Sequence, residues 1–186
     1  MNTPAYVHVP SPFGDLSVVW QAANKGVAVT RILLPNEQPL VEGITRATPL
    51  DTSLPPEIAE LSERMERFLA GKVIEFEQRH LDLLALESCP DFQRRVLLAE
   101  HGIPRGWVST YGRIARHLGL PGGARAVGNA LARNPFPIVI PCHRAIRADG
   151  RLGGFRGGIE MKRALLEMEG IETSPAGKAL TDQFCY

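Results

Sequence analysis

The chain has 186 residues, 44% of them apolar, and 21 Lys/Arg against 20 Asp/Glu give a formal net charge of +1, the composition of an ordinary soluble globular protein with one core or two small ones. No apolar run reaches membrane-spanning length, and the opening Met-Asn-Thr-Pro-Ala-Tyr-Val-His lacks the basic start and apolar stretch of a secretory signal, so a cytoplasmic protein is expected, nucleoid-associated if bacterial. Cys89, Cys142 and Cys185 form no Cys-x-x-Cys pair, and the five histidines show no metal-ligand spacing, which points away from a disulfide framework and from a structural zinc.

The N-terminal part reads as strands followed by a helix. Residues 16–20 and 27–34 flank Asn24-Lys25-Gly26, a turn signal, and predict a hairpin. After a Pro-rich connection, Ile58, Leu61, Met65, Phe68 and Leu69 recur at helical spacing, with Pro56 near the start and Gly71 just past the end. A boundary is expected between Lys72 and Pro90. This first half carries no chemistry and reads as a scaffold domain over residues 1–88.

Charge divides the chain sharply. Residues 1–90 carry 7 Lys/Arg against 12 Asp/Glu, a net of −5, and residues 91–170 carry 13 against 6, a net of +7. Twelve of those thirteen cations are Arg, whose planar fork of donors suits phosphate. The second half therefore looks made for a polyanion, nucleic acid above all.

That half begins with a helix from Asp91, read as its N-cap, to about His101, stopped by Gly102 and Pro104. Ser109 or Thr110 caps a short helix through Leu118, closed by Gly119. A second helix follows Leu120-Pro-Gly-Gly123. On it Ala124, Val127, Gly128 and Leu131 form a narrow small-residue face, and Arg125, Asn129 and Arg133 an opposite polar stripe. The two helices are a helix-turn-helix candidate, although many helix pairs that bind no DNA look alike. Asn134-Pro135-Phe136-Pro137 cannot continue the helix. Ile138-Val139-Ile140 then reads as a short buried segment leading to Cys142, and Ala148-Asp149-Gly150 as the tip of a turn. Four glycines between Gly153 and Gly158 read as a flexible pocket wall rather than a phosphate loop. A last helix runs from about Glu160 to Glu169, and residues 173–186 form a tail. The class is α+β: a small sheet-plus-helix domain, then a mostly helical domain over residues 89–172.

Cys142 and His143 carry the only evident chemistry. A lone Cys-His pair is more often a buried small hydrophobe beside an incidental neighbour. Glu169, in the last turn of its helix, opposes the helix dipole and would gain from a cationic or imidazole partner, for which His143 is the candidate.

At Pro141-Cys142-His143-Arg144 the chain resembles the O6-alkylguanine-DNA alkyltransferases, or methylated-DNA–protein-cysteine methyltransferases. Phe92-Gln93-x-x-Val96, Ile103-Pro104-x-Gly106, Ser109-x-Tyr111-Gly112-x-Ile114-Ala115, Ala124-Arg-Ala-Val-Gly128, Asn134-Pro135 and Leu165-Leu166-x-x-Glu169-Gly170 follow the family's order. Together these cover nearly all of residues 91–170, whereas residues 1–90 match only in general character. The resemblance implies an RNase H-like first domain and a winged-helix-like second one. It implies that Cys142 takes the alkyl group from O6-alkylguanine in double-stranded DNA, with O4-alkylthymine as a further substrate, by a monomeric protein that needs no cofactor. His143, commonly through a water, with Glu169 behind it, would remove the thiol proton. Tyr111 would donate toward the leaving guanine, and Asn134 would tie the turn to the active-site segment.

By the same resemblance, Arg125 is the finger that fills the stack vacated by a flipped nucleotide, with Ala124, Ala126, Gly128, Asn129, Arg133 and Thr110 on the DNA side. Tyr111, Leu131, Pro137, Phe155 and Arg156 match pocket positions. Phe155 stands where many members have Tyr, and Arg156 where some have Ser, which bears on preference for bulky alkyl groups. Two other readings stay open: a DNA-binding sensor with a structural cysteine, and a cysteine hydrolase that turns over without DNA.

Overall fold

The computed structural model describes residues 4–24, 26–37 and 54–186. Lys25 of the expected hairpin turn and most of the Pro-rich connection lie outside these. Among the described residues no helix is long and apolar enough to cross a membrane. The chain forms two compact units, residues 1–86 with 135–139, and residues 87–134 with 140–186.

In the first unit, β1 (Ala5–Val9), β2 (Leu16–Ala23) and β3 (Gly26–Leu33) form an antiparallel sheet in that order. The sequence reading contained the β2–β3 hairpin but not β1. Leu16 to Trp20 are all buried, the pattern of a central strand covered on both faces. A register shift between Val19 and Trp20 bends the hairpin. The outer edge of β3 is closed by other backbone: Val29 N–H donates to Leu83 C=O, Ala85 N–H to Val29 C=O, and Ile32 N–H to Pro135 C=O. This edge pairing is why a segment so distant in sequence joins this unit. Helix α1 (Pro56–Leu69) lays Ile58, Leu61, Met65, Phe68 and Leu69 into the core and ends before Gly71, which takes a φ of 80°. The short α2 (Gln78–Leu81) precedes a 3₁₀ turn at Leu86–Ser88.

The second unit opens with α3 (Asp91–His101). Pro90 is its N-cap, so Asp91 is the first helical residue rather than the cap; its carboxylate takes Arg94 at 2.9 Å instead. Strand β4 (Ser109–Thr110) runs into α4 (Tyr111–His117), and α5 (Ala124–Ala132) follows a six-residue turn. Gln93 of α3 fastens the end of α5, donating through Nε2 to the carbonyls of Ala130 (3.1 Å) and Arg133 (2.9 Å). The buried face of α5 is Val127, Ala130 and Leu131; Ala124 and Gly128, expected on it, are only half buried. Strand β5 (Ala145–Ile146) pairs in parallel with β4, and α6 (Ile159–Met168) closes the core. Residues 173–186, read as a tail, belong to this unit. The hairpin β6 (Glu172–Thr173) and β7 (Ala179–Leu180) contributes Ala179, which packs with Phe184 on Val108, Ile146, Leu152, Leu166 and Ile171.

Candidate active site and DNA-facing helix

Pro135 and Pro137 have no amide proton to offer a helix or a ladder, so the chain turns as soon as α5 ends. Ile138, Val139 and Ile140 are buried as expected, but they form a turn and not a strand. Ile138 adopts a φ of 75°, a conformation that a β-branched residue takes only under constraint. Buried Asn134 spans the turn, its Nδ2 donating to Ile140 C=O at 3.1 Å, and its side chain also hydrogen-bonds the Cys142 thiol.

Cys142–Arg144 is a single 3₁₀ turn, with Cys142 N–H bonded to Ile140 C=O and Arg144 N–H to Pro141 C=O, both at 2.8 Å. In an extended segment neighbouring side chains would point to opposite faces, whereas a 3₁₀ turn separates them by about 120°. A partly exposed thiol and a fully buried imidazole can therefore serve one site.

Behind them lies a buried array. His143 Nε2 is 3.0 Å from Glu169 Oε1. Arg144 grips the same carboxylate with Nε on Oε2 (2.8 Å) and Nη2 on Oε1 (2.7 Å) and extends Nη1 to the Ile103 carbonyl. Burial opposes the charge of Glu169, but His143 and Arg144 outweigh it and hold the carboxyl at about 2. Burial keeps His143 below its ordinary value against the pull of Glu169, so the imidazole is neutral near pH 7. Burial pushes the Cys142 thiol up to about 11, although the Asn134 hydrogen bond favours the thiolate. Burial and the fields of Glu100 and Cys142 raise Tyr111 to about 12, which keeps it a hydroxyl donor.

An open groove of about 610 Å³ is lined by Tyr111, Gly112, Ala124, Arg125, Arg147, Ala148, Gly153 and Gly154. Tyr111 enters it because Gly153, with a φ of 73°, has no side chain: a Cβ there would stand 2.9 Å from the Tyr111 hydroxyl. At Gly128 on α5 a Cβ would stand 3.9 Å from the Tyr111 ring, an ordinary contact, so the ring's position does not depend on that glycine. Arg125, Ala126, Asn129 and Arg133 are exposed on the outer side of α5. Thr110, expected on the DNA side, is buried, and its hydroxyl accepts from Arg113 N–H at 3.2 Å as the N-cap of α4. Leu131 packs in the α5 core face, and Pro137 is buried within residues 135–139 of the first unit. Phe155 and Arg156 are half buried on the glycine-rich loop, and the charge of Arg156 reaches Cys142.

Sequence reasoning passed over Arg144, Arg147, Lys162 and Glu100. Lys162 is fully buried on α6, its Nζ donating to Ala145 C=O at 2.6 Å and Gly154 C=O at 3.4 Å. Glu100 is fully buried on α3. Each sits among apolar residues at helical spacing, Glu100 with Val96 and Leu97, Lys162 with Met161, Leu165 and Leu166. A charge on an apolar face was the available signal.

Residues 91–171 match the family model for the 6-O-methylguanine DNA methyltransferase DNA-binding domain. The methylated-DNA–protein-cysteine methyltransferase of Methanothermobacter thermautotrophicus is 42% identical over 160 residues, covering 86% of this chain and 82% of that one. The Mycobacterium tuberculosis protein of the same name is 39% identical over 177 residues, 95% and 98% of the two chains. A crystal structure of M. tuberculosis OGT in complex with DNA superposes with a TM-score of 0.70 at 35% identity, covering 89% of this chain and 93% of that one. The turn that carries Cys142, the carboxylate array behind it and these likenesses over most of its length agree: the chain belongs to the methylated-DNA–protein-cysteine methyltransferase family.

Proposed function

We propose that this protein repairs DNA by moving the alkyl group of O6-alkylguanine onto Cys142. The observation that carries the reading is a thiol one residue from a neutral, buried imidazole whose far nitrogen is held 3.0 Å from a carboxylate that Arg144 pins in place. At rest the thiol keeps its proton. On reaction that proton passes toward His143, commonly through a water, and the imidazolium is stabilised by Glu169. Sulfur attacks the alkyl carbon, the C–O6 bond breaks, and the electron pair leaves with guanine. Tyr111, kept protonated, donates a hydrogen bond to the ring as charge develops. Asn134 holds the turn and favours the thiolate.

The alkyl carbon is out of reach in a stacked duplex, so the nucleotide must be rotated out at a cost of a few kcal/mol. Arg125 would fill the gap, with Ala126, Asn129 and Arg133 along the minor groove and Ala124 and Gly128 permitting close approach. Leu131, Phe155 and Arg156 are the proposed contacts of the second unit with base and alkyl group. We extend the reading to an RNase H-like first unit, a winged-helix-like second unit, a cytoplasmic monomer, nucleoid-associated if bacterial, and O4-alkylthymine as a second substrate.

Alkyl transfer leaves a thioether that neither water nor a thiol readily cleaves, so one molecule repairs one lesion. Intact-mass spectrometry with excess O6-methylguanine duplex should show a single methyl group on Cys142, with repair levelling off near one equivalent. A yield climbing well past it sinks the reading and favours a hydrolase. Cys142→Ser should lose transfer while keeping DNA binding, since a serine hydroxyl is barely ionised near neutral pH; retained transfer would mean another residue accepts the group.

A further inference from the structure

Helix α3 buries a carboxyl group that alkyl transfer, as described, does not use. Glu100 shares a face with Val96 and Leu97 and is as inaccessible as they are. Among the described residues no hydrogen bond of ordinary geometry reaches either oxygen, and the donor set against the carboxyl is the Ala145 N–H. From α6, Lys162 reaches the same residue and donates to its carbonyl at 2.6 Å. Ala145 thus has an acid on its N–H side and an ammonium on its C=O side, three residues after Cys142.

We infer that Glu100 and Lys162, buried on either side of Ala145, set the charge around the Cys142 thiol, making Glu100 a positioning residue of alkyl transfer that acts through Cys142. This rests on the reading of Cys142 as alkyl acceptor and deepens it. Burial pushes Glu100 up to about 8 against the pull of Lys162 and Arg144, and burial brings Lys162 down to about 8 against the pull of Cys142 and Glu100. The charged and titratable groups around the acid are Lys162 on α6, Arg144 and Cys142 on the 3₁₀ turn, Tyr111 on α4 and Tyr186. While Glu100 is neutral, the Lys162 charge is free to favour a thiolate. Once Glu100 ionises, it claims that charge and opposes the thiolate. Acid and thiol compete for one cation and titrate as a coupled set. No proton passes from Glu100 to sulfur or substrate.

The test needs no DNA. Carbamidomethylation of Cys142 by iodoacetamide, located by peptide mapping and timed from pH 7 to 12, reads the ionisation of the thiol in the wild-type chain, Glu100→Gln and Glu100→Leu. Removing the acid deletes an anion that is present above about pH 8 and opposes the thiolate, so the midpoint should fall by about one pH unit in both variants. Between about pH 8 and the midpoint the rate should rise about threefold, once the weaker nucleophilicity of a less basic thiolate is counted, and below pH 8, where Glu100 is neutral, the variants should match the wild type. If the Gln variant fails to fold, the Leu variant, which carries no polar atom to bury, decides alone. A midpoint unchanged or raised in folded protein overturns the inference, and a general packing defect would not lower it. Transfer from an O6-methylguanine duplex to the wild-type chain is followed alongside. Normal transfer with unshifted midpoints removes the pair alone; shifted midpoints without transfer support the pair and remove the alkyl-acceptor role.

Discussion

Arg144 holds Glu169 by two hydrogen bonds, and one of the two oxygens it grips, Oε1, is the atom that faces His143 Nε2. The orientation of the imidazole is therefore set by an arginine beside it in sequence, acting through a carboxylate twenty-five residues further on. Arg144→Lys keeps the charge but loses the fork. The folded protein should lose about 1–3 kcal/mol, seen in denaturant unfolding, because a buried carboxylate is left with fewer donors. Single-turnover transfer should slow while DNA affinity holds. A folded Lys variant with an unchanged rate would show that the fork does not orient His143.

Stability should have a maximum in mildly acidic solution, with limbs owned by different residues. Glu169 is held at about 2 against an ordinary 4.5, so the stability it contributes is complete above pH 4.5 and is lost as pH falls toward 2. His143, held below its ordinary 6.5, adds to the same acid limb. Glu100, raised to about 8, works the other way: its contribution is complete below pH 4.5 and is lost as pH rises through about 8. Thermal unfolding across pH 3–9 should show Glu169→Gln flattening the acid limb and Glu100→Gln the alkaline one. Variants that shift the whole curve without changing its slopes would contradict these assignments.

Arg125→Ala should weaken repair in duplex DNA more than reaction with free O6-benzylguanine. On the proposed reading the exposed side chain compensates for unstacking, which a free base never undergoes. Equal losses on the two substrates would mark Arg125 as structural. Duplex binding should also weaken as salt rises, because cations of residues 91–170 displace counterions from phosphates.

Gly153→Ala should cost transfer more than binding. Its φ of 73° penalises any side chain by about 1–2 kcal/mol, and the added methyl would meet the Tyr111 hydroxyl at 2.9 Å. Tyr111 must then swing away from the groove. The check is the transfer rate of Gly153→Ala beside Tyr111→Phe: comparable losses support a displaced hydroxyl, and an unimpaired Ala variant would show that Tyr111 has room to adjust.

What could be read without coordinates was local. The repeat from Ile58 to Leu69 predicted α1, and Gly102, Gly119 and Gly170 ended their helices where a positive φ or a lost side chain ends one cheaply. Cys142 and His143 are adjacent in the chain, and the resemblance supplied Glu169, Tyr111, Asn134 and Arg125 by motif.

Tertiary structure decided whatever depended on distant partners. Asp91 yielded the cap to Pro90, and Ala130 replaced Ala124 and Gly128 on the buried face of α5, since packing selects which edge of a small-residue helix turns inward. Residues 138–140 became a turn because Asn134 bridges them and Pro135 is drawn to β3. Glu100 and Lys162 stand on apolar helix faces and Arg144 follows the Cys-His pair, but sequence does not say how deeply each charge is buried. Only the fold removes them from water, and a charge denied water must find a partner or give up its ionisation. Arg144 found Glu169, Lys162 found two carbonyls, and Glu100, whose burial outweighs the pull of Lys162 and Arg144, keeps its proton near pH 7.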